Sequence, residues 1–107
     1  LSGISIPAKC EVGPGLRLHH FGGIVIHDSV RIGKNATIYH DVTIGLKKDD
    51  DSQGPIIGDN VYIGAGARLL GAIKIDNNVT VGANAVVLTD VPDGSLAVGV
   101  PARIVLK

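Results

Sequence analysis

Aliphatic residues return every sixth position along this 107-residue chain, and that period constrains its fold more than any other feature. The first phased stretch runs Ile6, Val12, Leu18, Ile24. The second runs Ile26, Ile32, Ile38, Ile44, and the third Ile57, Ile63, Leu69, Ile75, Val81, Val87. With 45% of residues hydrophobic, about fourteen such hits in phase have chance odds on the order of one in 10⁵. Four residues after each anchor comes a second compact residue: Cys10, Leu16 and Gly22, then Val30, Ala36 and Val42, then Val61, Ala67, Ile73, Val79, Ala85 and Val91.

A period of six is not helical, because a helix would fill i+3 as well as i and i+4 with apolar side chains. Here i+3 holds Asn35, Asp41, Asn60, Gly66, Asn78 and Asn84, residue types that accept a left-handed backbone at a corner. Each hexad therefore reads as a short strand and a turn, and three hexads make one triangular coil of about 18 residues. Stacked coils pair their strands in parallel about 4.8 Å apart and bury ladders of Ile, Leu and Val. The 15 glycines suit corners, and the scarcity of aromatics (Phe21, Tyr39 and Tyr62) suits a narrow core. The expectation is one all-β domain over 1–107, a parallel β-helix of five to six coils.

Two places break the phase. Two residues are added within Gly22-Gly23-Ile24-Val25-Ile26, and the repeat lapses between Ile44 and Ile57. The polar segment 46–55, with Lys47, Lys48, Asp49, Asp50 and Asp51, cannot enter an aliphatic core and is expected as an extruded loop on a rigid scaffold.

Ten basic residues balance ten acidic ones, so no global field draws in nucleic acid or an anionic membrane. No apolar run approaches the roughly 20 residues of a membrane span. The single Cys10 has no internal disulfide partner, which suits a reducing, cytoplasmic setting. The chain opens at Leu1 and contains no Met, so an upstream segment is expected.

Four motifs occur in order along this scaffold. They are Leu18-His19-His20-Phe21-Gly22-Gly23-Ile24-Val25-Ile26, Val42-Thr43-Ile44-Gly45, Ile57 through Ala67, and Val98-Gly99-Val100-Pro101-Ala102-Arg103. Together with the hexads they resemble the serine acetyltransferase branch of the hexapeptide-repeat acyltransferases over essentially the whole chain. The resemblance implies a left-handed coil, a homotrimer with active sites between neighbouring subunits, and acetyl-CoA as donor. It also implies an amino-terminal helical domain through which trimers could pair.

Carried over residue by residue, the resemblance makes His20 the general base on the acceptor hydroxyl, a sensible task for a neutral imidazole. Gly45 and Leu46 stand where the family has a Gly-Gly pair, at the backbone donors for the thioester oxyanion. Ala65 and Ala83 would clasp the pantetheine arm, and Arg103 would face the CoA phosphates. The family's Asp before the base is His19 here, and its Arg-His pair at the loop's end is Gln53-Gly54. Those lost groups would grip a charged amino acid. A sugar or polysaccharide hydroxyl is therefore the acceptor these departures favour, ahead of serine O-acetylation in cysteine biosynthesis.

Among the other histidines, His40 lies one coil after His20 and is expected to shape the base site with His19, whereas His27 reads as a solvated surface imidazole. A zinc enzyme on the same scaffold would need two His ligands five residues apart, a spacing this chain lacks, so no metal is expected. A non-catalytic β-helix assembly module is the rival from another class.

Overall fold

The structure is a computed structural model that describes residues 3–19, 22–48 and 52–106. Five triangular coils stack into a left-handed parallel β-helix, and the strands of successive coils form three flat faces. The first face holds β1 (Ile4–Ser5), β4 (Ile24–Ile26), β7 (Thr43–Gly45), β10 (Arg68–Leu70) and β13 (Val86–Val87). The second holds β2 (Glu11–Val12), β5 (Arg31–Ile32), β8 (Ile56–Ile57) and β11 (Lys74–Ile75), extended by a bridge from Ile75 to Val91. The third holds β3 (Arg17–Leu18), β6 (Thr37–Ile38), β9 (Tyr62–Ile63), β12 (Thr80–Val81), β14 (Leu96–Val98) and β15 (Arg103–Val105). No helix forms among the described residues.

The inward anchors stack as the period requires. Ile26, Ile44, Leu69 and Val87 line the first face, Ile32, Ile57, Ile75 and Val91 the second, and Ile38, Ile63, Val81 and Ala97 the third, all buried. Burial of each such Ile, Leu or Val contributes roughly 1.5–3 kcal/mol, repeated coil by coil. At the corners Asn35, Asp41, Asn60, Asn78 and Asn84 all carry positive φ. The asparagines also join across coils, Asn35 Nδ2 donating to Asn60 Oδ1 at 3.3 Å and Asn60 Nδ2 to Asn78 Oδ1 at 3.4 Å.

The structure corrects the sequence reading at the first phase break. Val25 pairs with Thr43 and Ile26 with Ile44, and the Val25 N–H donates to the Val42 carbonyl. Ile24 therefore occupies the compact corner slot shared with Val42, Ala67 and Ala85, not an anchor position. Gly22 is not in that slot: it lies out on the turn at φ +110°, where its carbonyl accepts the Asp41 N–H at 3.2 Å. The two extra residues thus enlarge the corner between the third and first faces, because only that register lets Ile24 and Ile26 both reach the core.

The second break behaves as expected at its entrance. Its exit does not stay extruded: Gly54 and Pro55 are buried, and the Pro55 carbonyl accepts the Arg31 N–H at 3.3 Å. Residues 49–51 lie outside the described part. The carboxyl end departs from the all-parallel expectation, since β15 folds back antiparallel on β14, pairing Arg103 with Val98 and Ile104 with Ala97.

Candidate active site

Two edges of the prism carry the residues singled out from the sequence. At the edge between the third and first faces, backbone bonds tie successive corners: the His40 carbonyl accepts the Gly66 N–H at 3.0 Å and the Ala65 carbonyl accepts the Asn84 N–H at 2.8 Å. His40, Ala65 and the Ala83–Asn84 turn therefore climb one edge on consecutive coils. His40 is half-buried, with its Nδ1 shielded from solvent. Neither the Ala65 nor the Ala83 amide donates a hydrogen bond among the described residues. The corner is thin-walled, since a Cβ on Gly64 would fall 2.7 Å from the Ala83 nitrogen. Arg103 is exposed on β15, beside Val98 at the head of the same edge. His20, expected as the base, lies outside the described residues.

An aromatic stack not foreseen from the sequence borders this edge. The His19 ring lies over that of Tyr39 at 4.9 Å, and Tyr39 packs at a tilt against Tyr62, 5.2 Å away. A hydrogen bond with Tyr39 pushes the Tyr62 phenol above its ordinary range, with smaller contributions from desolvation and from the charge of Tyr39. The signal was available: two of the three aromatics in the chain, Tyr39 and Tyr62, fall beside anchors on adjacent coils.

The edge between the first and second faces carries Gly45 and Leu46. They line a groove of about 480 Å³ together with Val25, Thr43, Leu70 and His27. The Leu46 amide, just past the end of β7, donates no hydrogen bond among the described residues. His27, expected as a solvated surface imidazole, is partly exposed, its side chain 35% accessible, but it is also tied into the fold. Its Nδ1 accepts the Ser29 N–H at 3.1 Å and lies 2.7 Å from Ser29 Oγ, while Ser29 Oγ accepts the Gly54 N–H at 2.8 Å. The exit arm of the loop is thereby tied to the corner of the coil below. Gly54 is needed for that approach, because a Cβ there would lie 3.0 Å from Val30 Cγ2 and 3.2 Å from Ser29 Oγ. The sequence signal for this tie was a His-x-Ser turn directly after an anchor.

One coil therefore does not bring all the candidates together. His19, His40, Ala65, Ala83 and Arg103 share one edge and Gly45 and Leu46 the other, separated by three-residue strands of the first face, each about 10 Å long. Cys10 belongs to neither group. Its thiol donates to the Val30 carbonyl at 3.2 Å, and burial, reinforced by Asp28, holds it above the usual thiol range, which makes it a poor nucleophile. Among the described residues no three His, Cys, Asp or Glu side chains are grouped to hold a metal ion, and no helix is long and apolar enough to cross a membrane.

Comparison with known proteins adds to this geometry. Residues 54–89 match the family described as bacterial transferase hexapeptide (six repeats). The chain is 44% identical over 108 aligned positions to serine acetyltransferase of Helicobacter pylori strain J99, covering all of this chain and 63% of that protein. It is 48% identical to serine acetyltransferase of Staphylococcus aureus strain Mu50, covering 97% of this chain and 49% of that protein. Soybean serine acetyltransferase in complex with serine superposes with a TM-score of 0.93 at 43% identity, over 96% of this chain and 43% of that one. A serine acetyltransferase in complex with CoA superposes with a TM-score of 0.83 at 39% identity, over 91% of this chain and 40% of that one. The chain thus spans between about half and two-thirds of the length of these curated relatives. Ladder, corners and likeness together make the chain a hexapeptide-repeat homologue of the serine acetyltransferases.

Proposed function

We propose that the protein transfers an acetyl group from acetyl-CoA directly to the hydroxyl of a small acceptor, with L-serine as the leading candidate. The observation that carries this reading is the run of open amides at Ala65 and Ala83 on the edge that also bears His19 and His40. Two N–H groups on adjacent coils, unbonded among the described residues and walled by alanine and glycine, suit the carbonyls and amides of a pantetheine arm laid along the prism. Arg103 at the head of the edge suits the nucleotide phosphates. The likeness to serine acetyltransferases in complex with serine and with CoA supports both substrates.

In this reading His20 takes the proton of the acceptor hydroxyl and His40 helps shape its surroundings. The thioester oxygen meets backbone donors at Gly45 and Leu46. Because the two groups of residues occupy opposite edges of the first face, a second copy of the chain must bring its Gly45–Leu46 edge to the edge that bears His40. Three copies around a threefold axis close every such pair, so a homotrimer is part of the proposal.

One observation favours a second acceptor class. Gly54 offers no side chain at the loop's end and is packed against Ser29, and His19 stands beside the base where an acidic residue would grip an ammonium group. A sugar hydroxyl, uncharged and broad, asks less of those positions. Release of CoA thiol by the full-length protein, assayed with L-serine and with a panel of sugars and nucleotide sugars, decides between them. Serine is expected to support turnover, and His20→Ala to lower it roughly 10²–10⁴-fold while the assembly stays folded. Near-full turnover in that variant sinks the base assignment, and turnover with sugars alone replaces the acceptor. Absence of thiol release with every acceptor leaves the assembly-module reading in possession.

A further inference from the structure

His27 has no part in the reaction as set out above, yet its surroundings determine the direction of its hydrogen bonds. A backbone N–H can only donate, so the Ser29 amide at 3.1 Å makes His27 Nδ1 an acceptor. With Nδ1 an acceptor, the hydroxyl of Ser29, 2.7 Å away, donates to it, and Ser29 Oγ in turn accepts the Gly54 N–H at 2.8 Å. Asp28 Oδ1 lies farther off, at 3.3 Å, on a side chain 48% exposed, so the two shorter bonds decide the tautomer. A neutral imidazole with a bare Nδ1 carries its proton on Nε2.

No described residue accepts a hydrogen bond from that Nε2. The ring lines the groove with Gly45 and Leu46, and a Cβ built on Gly45 would lie 3.7 Å from His27 Cβ. The Leu46 amide and His27 Nε2–H, two donors without partners among the described residues, thus belong to residues that line one groove with Val25, Thr43 and Leu70. Donors held ready in a largely apolar groove stabilise a developing negative charge far better than water does.

We infer that His27 is a catalytic donor, holding the thioester oxygen together with Leu46 N–H. The assignment rests on the acetyl-transfer reading above. The acceptor oxygen attacks the thioester carbon, a C–O bond forms, and the carbonyl π pair moves onto oxygen, where the two N–H groups hold it. The hydroxyl proton passes to His20. When the C=O re-forms, the C–S bond breaks and the thiolate of CoA takes the proton from His20.

The test uses the full-length protein with acetyl-CoA and its most active acceptor, and compares His27→Ala, His27→Gln and His27→Asn. Glutamine places an amide N–H near the position of Nε2, whereas asparagine places an amide oxygen near that of Nδ1. His27→Ala is expected to lower kcat roughly 10²-fold with KM for acetyl-CoA within about twofold. Glutamine should restore at least about tenfold of that loss, and asparagine should restore none. Unchanged kcat in His27→Ala overturns the role, and so does rescue by asparagine alone, which would make His27 only the anchor of Ser29 and the loop. A folded wild type that transfers acetyl to no hydroxyl overturns the underlying reaction as well.

Discussion

The imidazole of His19 lies over the phenol ring of Tyr39, with ring centroids 4.9 Å apart and planes within 15° of parallel. The pair spans two coils one residue before His20 on the first and one before His40 on the second, so it braces the edge proposed to carry the base. A stacked pair of this kind contributes roughly 0.5–1.5 kcal/mol beyond its buried area. Tyr39→Ala is expected to lower acetyl transfer severalfold, and Tyr39→Phe, which keeps the ring, to leave it nearly unchanged. A double-mutant cycle of His19→Ala with Tyr39→Ala should read a coupling of about that size, and additivity of the two changes would remove the brace.

Tyr62 supplies a pH dependence. Its phenol is held above the ordinary value chiefly by the hydrogen bond with Tyr39. A folded-state value above the unfolded one favours the neutral phenol, so its contribution is complete below the usual tyrosine value of about 10 and is lost as pH climbs through the raised one. Ultraviolet titration of phenolate should find one tyrosine ionising late in the wild type, and Tyr39→Phe should bring it back toward the ordinary range. An unchanged late step in that variant would show the hydrogen bond is not the cause.

Leu69 sits fully buried in the anchor ladder between Ile44 and Val87. Leu69→Ala removes three heavy atoms from a core fixed on either side by strand pairing. The expected loss is about 2–5 kcal/mol in urea unfolding. A loss below about 1 kcal/mol would mean the ladder collapses onto the gap and is less rigid than its spacing suggests.

Gly66 turns its corner at φ +76°, and a Cβ there would fall 2.1 Å from Asn84 Oδ1. Gly66→Ala therefore meets both backbone strain and a displaced side chain, at a cost of roughly 1–3 kcal/mol. Asn60→Gly, at φ +57° on another corner, keeps the conformation and loses only the side-chain ladder. Thermal unfolding of the two variants side by side should rank Gly66→Ala as clearly the less stable.

Much of the scaffold was written in local chemistry. Ile26, Ile32, Ile38 and Ile44 repeat at the spacing of one face each, and Asn35, Asp41, Asn60, Asn78 and Asn84 mark the turns where the backbone goes left-handed. The extrusion after Gly45 was equally plain, because charged residues cannot replace Ile in a desolvated ladder. Less of the candidate site could be read. His40, Ala65 and Ala83 do fall on one edge, but the loop's return through Gly54 to Ser29, and the tie from Ser29 to His27, join residues 25 positions apart in the chain.

The sequence alone determined the period, the inward residues and the corners, since each depends on what one hexad can bury and how one residue can bend. Only the tertiary structure decided that Ile24 fills a corner slot, that the two added residues enlarge the turn holding Gly22 and Gly23, and that Gly45 lies on a different edge from His40. Those outcomes are set by pairing with the coil above. A register between coils is chosen by which backbone groups and side chains meet across about 4.8 Å, and a spacing along one coil carries no record of that choice.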